Sequence, residues 1–421
     1  MTPDVVVCGA GVGGLASAHA LSALGLSVLV LDRRSGPADV AKGELLQPEA
    51  VRILDDWGLL ADVRATGAVP VGRLTIRGPS GAAVLDLDYG PLPGSYRQIL
   101  CTEYATLLRV LARRLDPGVQ VRRGVLVEGV LRDATGRVTG VRTAGRDVPA
   151  RLVVAADGLS SRLRKDVGVR TRRQPYDHRL VAFDLAGVPV ADEVSAYLTD
   201  RGLRLVYPLP GGRCRLYVQV GPDELRRGPI ARWVDGVLAG MPALEPLAGA
   251  LRASLHSRQV LGVCRLRAHR LAVPGLALVG ESAHAVHPMA AQGMNSSLAD
   301  AQTLAAALTQ AGDAGLEPAA VDRALREYHA VRQPRLDHTA TVSHNAARML
   351  TLTAGLGRRM GRRMMRHTAS NPRLLRITAG NLAGVAIRPL TPVDRLYQLG
   401  LLTDRSAHAA AQPVCGTGGS R

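Results

Sequence analysis

A glycine-rich turn near the start of the chain has the residue types and spacing to hold a phosphate group. The turn reads GAGVGG over Gly9–Gly14 and lies between an apolar run, Asp4–Cys8, and a helical pattern, Leu15–Leu24. In such a loop the first glycine permits a tight turn, the second lets the backbone approach a diphosphate, and the third lets the helix pack on the strand. The N–H groups at the start of the helix attract the same anion.

A carboxylate follows the next apolar run. Ser27–Leu31 predicts a second buried strand, and Asp32 ends it where an acid can accept a hydrogen bond from a ribose hydroxyl. The strand, glycine turn, helix and second strand together predict a βαβ unit that binds a dinucleotide. This pattern alone does not distinguish FAD from NAD.

Another buried strand, Leu152–Ala156, leads into an acid–glycine pair, Asp157-Gly158, and then into hydroxyl and cationic side chains up to Arg164. Two interpretations of Asp157 stay open at this point. It caps a helix beside a bound anion, or it caps an ordinary strand–turn–helix connection.

A further strand, Leu276–Val279, ends at Gly280, and Glu281 follows it. A loop then reaches Gly293, where a helical pattern begins and runs towards Thr309. This order suits a polyol hydroxyl bonded to the acid and a flavin ring edge at the N–H groups of the helix.

The same loop carries His284 and His287, whose spacing also fits a pair of metal ligands. Neither cysteine nor carboxylate ligands accompany them, so no metal site is predicted. Both histidines, and Tyr207 on a predicted strand, could accept or relay a proton. The alternative for each is structural: a loop histidine bonded to the backbone, or a tyrosine packed in the core.

The composition excludes several classes of protein. The net charge is +18, but the arginines are spread along the chain rather than gathered with aromatic residues, so nucleic-acid binding is not predicted. The five cysteines form no CxxC pair, which favours a reducing, cytoplasmic location. The apolar N-terminus lacks a basic flank and is broken by glycines, so it is not read as a secretory signal. No apolar run is long enough to span a membrane.

The periodicity of the rest of the chain predicts the elements that hold these residues. Alternating strands dominate from 173 to 266 and predict an antiparallel sheet. Helical patterns cover Leu100–Leu115 and Pro318–Thr351. The last residues, Ala410–Arg421, are rich in glycine and are expected to fray.

In this order and spacing, the three glycine–acid motifs resemble those of the group A flavoprotein monooxygenases, the p-hydroxybenzoate hydroxylase-like family, over about residues 4–345. The resemblance implies an α/β fold in which a Rossmann-like FAD-binding domain, 1–172 with 267–345, carries an inserted antiparallel β-sheet substrate domain, 173–266. A C-terminal helical region, 346–405, and a flexible tail, 406–421, complete the expected organisation.

The resemblance also implies a set of cofactor-binding residues. Among them is the segment GELLQP over Gly43–Pro48, which is similar to a stretch in squalene epoxidases and their relatives and is expected near the flavin ring. Glu281 departs from the family, which has aspartate there, and Cys101 stands where relatives often carry arginine or glutamine. The full set is Gly9, Gly11, Gly13, Gly14, Asp32, Arg33, Lys42, Glu44, Cys101, Asp157, Gly280, Glu281, Gln292, Gly293, Met294 and Asn295.

The resemblance further implies that NADPH or NADH reduces bound FAD, that O₂ then forms a flavin C4a-hydroperoxide, and that a small, largely apolar substrate is oxygenated. The expected reaction is hydroxylation of an aromatic ring or epoxidation of a polyene or isoprenoid, in secondary metabolism. The alternative is a flavin-dependent reductase or dehydrogenase that acts on isoprenoids with the same fold. The sequence does not predict the oligomeric state.

The C-terminal residues 355–400 are rich in arginine and methionine, and two interpretations of them stay open. They form a basic amphipathic surface that contacts a membrane peripherally. Alternatively, they form a helical cap over the substrate domain with arginine on the solvated face.

Overall fold

A computed structural model describes residues 2–37, 40–226, 228–312 and 316–407 of the 421-residue chain. The strands and helices form two large layers joined by short connecting elements. The first layer has one buried apolar cluster and the second has one on each face of its sheet. The clusters that face each other adjoin at the segment around residues 41–47.

A six-stranded sheet organises the first layer, because its central strands are short apolar runs that can be buried on both faces. Val5–Cys8 and Leu152–Ala155 are fully buried at its centre. The strands are parallel except at the edge, where Ala272–Val273 pairs antiparallel with its neighbour. Their order is Ala272–Val273, Leu276–Leu278, Leu152–Ala155, Val5–Cys8, Val28–Asp32 and Val119–Arg123.

Helices cover this sheet and share its apolar cluster. A three-stranded antiparallel sheet lies beside it, formed by Val127–Arg132, Val138–Thr143 and Arg146–Pro149. The helices of this part are Val12–Ser22, Pro48–Asp56, Leu60–Ala65, Tyr104–Arg113, Arg162–Asp166, Gly293–Gln310 and Pro318–Thr351.

An eight-stranded sheet forms the second layer, and its residues alternate between two buried faces. One face packs on the helices Ile230–Leu238 and Ala248–Ala253, and the other faces the first layer and the C-terminal helices. Only the pairing of Val194–Thr199 with Arg73–Arg77 is parallel. The order is His284–Ala285, Gln259–Ala268, Thr171–Ala186, Arg213–Val220, Gly202–Leu209, Val194–Thr199, Arg73–Arg77 and Ala83–Asp88.

Short elements complete the architecture. Leu45–Leu46, Ile99–Cys101 and Val69–Val71 form a small antiparallel sheet at the junction of the two layers. The C-terminal helices are Gly355–Ala369, Pro372–Ala383 and Pro392–Gln398. Short 3₁₀ helices occupy Glu224–Arg226, Pro242–Leu247, Leu255–Ser257, Gly280–Ser282 and Pro288–Ala290.

The predicted fold class is confirmed: an α/β FAD-binding fold with an antiparallel sheet and C-terminal helices. The predicted helix over Leu100–Leu115 is wrong at its start, because Ile99–Cys101 is a strand that pairs on both sides and the helix is Tyr104–Arg113. The division into domains stays a prediction, and the eight-stranded sheet also takes in Arg73–Arg77 and Ala83–Asp88. Most of the predicted tail, 408–421, lies outside the described residues.

None of the helices in the described part of the chain has the length and apolar character needed to cross a membrane. The C-terminal helices instead pack on the second layer. Met365, Ala379, Leu382 and Ala383 join its apolar cluster. The structure therefore has the helical cap, which was one of the two interpretations of this region.

Candidate functional site

The glycine turn between the first strand and the first helix is shaped by close backbone contacts. Gly9 has a positive φ of 109°, and a Cβ at this position would overlap the carbonyl oxygen of Ala156. A Cβ at Gly14 would overlap the carbonyl oxygen of Gly9, so the helix could not pack this closely on the strand. At Gly11 the nearest group to an added Cβ is the Tyr104 hydroxyl, 3.5 Å away.

The start of this helix faces the glycine turn. Gly11 is its N-cap and, being a glycine, has no side chain that could cap the first turn. Asp32 lies beside the turn, where one carboxylate oxygen accepts a hydrogen bond from the Ala10 N–H at 2.6 Å and the other accepts one from the Arg34 N–H at 2.7 Å. The exposed Arg33 follows directly. This cradle fits a nucleotide diphosphate with its ribose near Asp32.

Lys42 and Glu281 lie opposite each other near the glycine turn. The Lys42 ammonium donates to both carboxylate oxygens of Glu281 at 3.1 Å, and both side chains are close to half exposed. The ammonium also lies 5.8 Å from the centre of the Tyr104 ring. Gly13 packs the helix against this loop, since a Cβ there would lie 3.2 Å from Val279.

A buried cluster of charged side chains binds the segment that contains Gly280 and Glu281. Asp300 is fully buried and accepts hydrogen bonds from the Gly280 N–H at 2.9 Å, from His284 Nε2 at 2.7 Å and from Arg332 Nε at 2.6 Å. Burial alone would raise the pKa of Asp300, but His284 and Arg332 outweigh it and lower the pKa to about 2. The predicted base His284 therefore serves as a partner of Asp300, and its Nδ1 is buried with no partner among the described residues.

The other predicted base, His287, lies in a cluster of rings. Its Nδ1 accepts from the Met289 N–H at 3.2 Å, and its Nε2 lies 2.9 Å from His178 Nε2. Tyr176 packs edge-on against it and bonds His344 at 3.0 Å. Burial, followed by the charges of His178 and His344, lowers the pKa of His287 to about 3. The histidine is therefore neutral at physiological pH.

The loop from Gln292 to Asn295 joins the two layers. Asn295 accepts a hydrogen bond from the Gln47 N–H at 2.8 Å and donates to the Leu45 carbonyl at 3.0 Å. Gln292 donates to the carbonyl of Leu382 in the C-terminal cap at 2.5 Å. Gly293 begins its helix with no side-chain cap, so the N–H groups there are available to a ligand. A Cβ at Gly43 would lie 3.3 Å from the Met294 sulfur.

Glu44 carries a buried charge at the junction of the layers. Arg215 binds it through two nitrogens, at 2.7 and 2.9 Å, and the Tyr207 hydroxyl donates to it at 2.7 Å. Burial, followed by the charge of Glu44, raises the pKa of Tyr207 well above its ordinary value. Arg215 was not predicted as a site residue; its strand pattern, RCRLYVQV, contained an inward-facing arginine but gave no sign of its partner.

Two other predicted site residues lie in structural positions. Asp157 accepts hydrogen bonds from Ser161 Oγ at 2.5 Å and from the N–H groups of Arg162 and Leu163 at 2.7 and 3.2 Å, which makes it a helix cap. Cys101 is fully buried in the small sheet. Burial, followed by the charge of Glu44, raises the pKa of its thiol. Among the described residues, no group of three or more His, Cys, Asp or Glu side chains could hold a metal ion.

The family model for an FAD binding domain matches residues 2–343. Ubiquinone hydroxylase UbiL of Rhodospirillum rubrum is 31% identical in an alignment of 354 positions that covers 79% of this chain and 78% of the relative. The chain belongs to the group A FAD-dependent monooxygenases.

Two further comparisons bear on this group A monooxygenase. The structure of P. aeruginosa PqsL in complex with 2-aminobenzoylacetate aligns with a TM-score of 0.74 and 26% identity, covering 83% of this chain and 96% of PqsL. Digeranylgeranylglycerophospholipid reductase 2 of Methanopyrus kandleri is 27% identical, over 70% of this chain and 74% of the reductase. These comparisons do not show the similarity to squalene epoxidases, which stays a prediction.

The cradle of this monooxygenase fits FAD. The glycine turn leaves room for a diphosphate, Asp32 provides a ribose acceptor, and Gly293 begins a helix whose first N–H groups lack a side-chain cap. FAD is the cofactor of the family. The assignment of each predicted residue to that cofactor stays a prediction.

Proposed function

We propose that this monooxygenase takes electrons from NADPH or NADH and uses O₂ to hydroxylate or epoxidise a small, largely apolar aromatic or polyene substrate, isoprenoids included. We place this reaction in the cytoplasm and in secondary metabolism, with peripheral contact to a membrane through residues 355–400. Bound FAD supplies the redox chemistry, because reduced flavin activates O₂.

The observation that carries the proposal is the buried junction beside the loop from Gln292 to Asn295. Its apolar cluster includes Leu45, Leu205 and Leu209, and Tyr207 and Tyr217 lie in the same cluster. The charges of Glu44 and Arg215 are paired with each other there. An uncharged substrate suits such surroundings, because an unpaired charge is costly to bury.

Tyr207 is the residue that we propose to contact a hydroxyl of the substrate. Its own proton points to Glu44, so the phenol oxygen keeps lone pairs that can accept a proton donor. A phenolic substrate would donate to Tyr207, and Glu44 would take the proton that Tyr207 passes on. This arrangement favours hydroxylation of a phenol, since epoxidation of an alkene needs no base.

His284 and His287 support the site in this proposal rather than exchange protons with the substrate. Their ring nitrogens bind Asp300, His178 and the backbone of Met289, so each histidine holds the loop that leads to Gly293. Lys42 and Glu281 bind the cofactor at the exposed edge of the cradle, with Asp32 at its ribose.

The reductase from Methanopyrus kandleri favours a second candidate function, reduction of an isoprenoid double bond. The two candidates differ in the fate of oxygen. A monooxygenase consumes one O₂ for each oxygenated product, whereas a reductase adds hydrogen and leaves oxygen out of the product.

The test is NADPH and NADH oxidation by the purified flavoprotein with a panel of phenols, indoles, quinones and polyenes under ¹⁸O₂. We expect one class of compound to accelerate NAD(P)H oxidation and to gain one labelled oxygen atom. The control is Gly11→Asp, which sets a carboxylate against the diphosphate, with Gly11→Ala as the matched neutral change. A reduced product without label would support the reductase and contradict the proposal.

A further inference from the structure

Exposed apolar side chains concentrate on the C-terminal helices. Of the fourteen large hydrophobic side chains that are exposed in the described part of the chain, nine lie between Leu352 and Leu402. Leu356 is 74% exposed and Leu401 is 63% exposed, which is far more than their role in a helical cap requires. Scattered single exposures are normal on a protein surface, but a concentration of them marks an interaction site.

The same region carries an unbalanced positive charge. Residues 352–407 contain ten arginines and two acids, and no lysine or glutamate. Both acids, Asp394 and Asp404, are largely buried and bound to one arginine, Arg373. The exposed charge of this region is therefore positive, and a partner with negative charge suits it.

The helix Gly355–Ala369 places the two kinds of side chain next to each other. At 3.6 residues per turn, Leu356 and Met360 lie one above the other on the exposed face. Arg359, Arg363 and Arg366 are exposed on its flank. The opposite face, Gly361, Met365 and Thr368, is buried against the protein. An apolar stripe with arginine beside it is typical of helices that lie in a membrane interface.

A second apolar stretch adjoins this helix. Arg363 Nε donates to the carbonyl of Leu399 at 2.5 Å, and Gly400 packs directly on the ring of His367. The exposed side chains of Leu401 and Leu402 follow at once, and Leu396 precedes them. We define the C-terminal surface as Leu356, Met360, Leu396, Leu401 and Leu402 with Arg359, Arg363 and Arg366.

We propose that the C-terminal surface docks on a bilayer of anionic lipids. The aliphatic side chains would enter the acyl region while the arginines bind phosphate groups at its edge. A nucleic acid would be met by aromatic side chains that stack on bases, but the exposed residues here are aliphatic. An anionic lipid surface satisfies both the apolar and the positive groups.

This docking also deepens the proposed function, on which the following step rests. The buried side of the helix Gly355–Ala369 borders the junction, because Met365 shares its apolar cluster. The neighbouring helix Pro372–Ala383 does so as well: Leu382 joins the same cluster, and its carbonyl accepts from Gln292. A substrate that partitions into lipid would thus reach the protein at the side where its proposed site lies.

Sedimentation with vesicles tests the docking, using the full-length protein with FAD bound. We expect binding to vesicles of phosphatidylcholine with phosphatidylglycerol, weakened by salt, and little binding to phosphatidylcholine alone. Leu356→Ser with Met360→Ser, and separately Arg359→Gln with Arg363→Gln and Arg366→Gln, should each lower the partition coefficient by about tenfold or more. The control pair, Leu24→Ser with Leu126→Ser, removes exposed leucines elsewhere and should bind as the unchanged protein does.

The docking would be overturned by no binding to anionic vesicles, by equal binding to neutral ones, or by binding that neither set of variants reduces. A dimer that Leu356→Ser with Met360→Ser dissociates, without vesicle binding, would assign the surface to a second copy of the chain and also overturn it. FAD content and NAD(P)H oxidation of the variants are measured in parallel. Because vesicle binding does not require turnover, its failure is distinguishable from failure of the proposed reaction.

Discussion

Glu281 is the residue at which this chain departs most clearly from the family resemblance, which has aspartate there. Its carboxylate is exposed at the edge of the cradle, held by Lys42, so it can reach a hydroxyl despite the longer side chain. Glu281→Ala should raise the FAD dissociation constant by about tenfold or more, because a hydrogen bond to a charged group is lost. Glu281→Asp should change it by less than about threefold.

Titration of the apoprotein with FAD, followed by flavin fluorescence, measures both constants. The exposed Glu327 is a suitable control, since Glu327→Ala removes a carboxylate from the surface of another helix. An unchanged constant for Glu281→Ala would remove this residue from the cofactor site.

At the scale of residues, the sequence predicted some of the side chains that lie close together, but not the hydrogen bonds that each of them makes. Glu44 and Tyr207 were both singled out, and they are hydrogen bonded. Their shared partner Arg215 was missed, because an arginine on an alternating strand looks the same whether it faces solvent or a distant carboxylate. The sequence predicts His284 and His287 in one loop, but His284 lies in the short strand His284–Ala285, which pairs with Gln259–Ala268. Only the fold reveals that Asp300 and His178 occupy their ring nitrogens.

At the scale of elements, strands made of short apolar runs were predictable, whereas pairings between distant segments were not. Val5–Cys8 and Leu152–Ala155 are buried on both faces, so their composition alone identifies them. Arg73–Arg77 is different, because its neighbour in the sheet, Val194–Thr199, lies far along the chain. The helix predicted over Leu100–Leu115 starts inside the strand Ile99–Cys101, because Leu and Cys also fit the helical period, whereas this segment pairs with a strand on each side.

The 3₁₀ turn Pro288–Ala290 is fastened to the long strand Thr171–Ala186 by the contact between His287 and His178. Since His287 Nδ1 accepts from the backbone, the neutral ring carries its proton on Nε2 and donates it to His178. Burial and the neighbouring histidines lower the pKa of His287 to about 3. In the unfolded chain its pKa is about 6.5.

A pH dependence of stability follows from this difference. Below about pH 6.5 the unfolded chain binds a proton that the folded protein does not bind, so stability is present above that pH and is lost as the pH falls towards 3. Between about pH 7 and pH 5, His287 alone should lower the free energy of unfolding by on the order of 2 kcal/mol. Urea unfolding at several pH values should show this slope, and His287→Asn should lack that part of it.

His269 provides the comparison, because it is exposed at the end of a strand. The variant His269→Gln should keep the slope of the unchanged protein. Equal slopes for His287→Asn and the unchanged protein would mean that His287 takes up its proton in the folded state as readily as in the unfolded one.

At the scale of the whole molecule, the nucleotide-binding layer and the antiparallel sheet are held together by the contacts at their junction. The segment over residues 41–47 reaches across it: Tyr217 donates to the carbonyl of Ala41 at 2.9 Å, Tyr89 donates to Gln47 at 3.1 Å, and Arg215 binds Glu44. Glu44 and Arg215 are 171 residues apart in sequence, so no local pattern could have predicted the contact. The family resemblance predicted the nucleotide-binding layer and the antiparallel sheet. The side-chain contacts that join these two layers could be identified only in the structure.

The pair of Glu44 and Arg215 should behave as one unit in folding. Arg215→Met leaves the carboxylate of Glu44, which is 3% exposed, without its counter-charge, and should lower the free energy of unfolding by about 3–5 kcal/mol. Glu44→Gln combined with Arg215→Met removes both charges, so the double variant should be more stable than Arg215→Met alone. Urea unfolding with saturating FAD measures the free energy of unfolding of both variants.

The control variant Arg73→Met, which breaks an exposed pair with Asp86, should lower the free energy of unfolding by less than about 1 kcal/mol. If the double variant were no more stable than Arg215→Met, the charges would not be coupled, and the junction would be held by its apolar cluster alone.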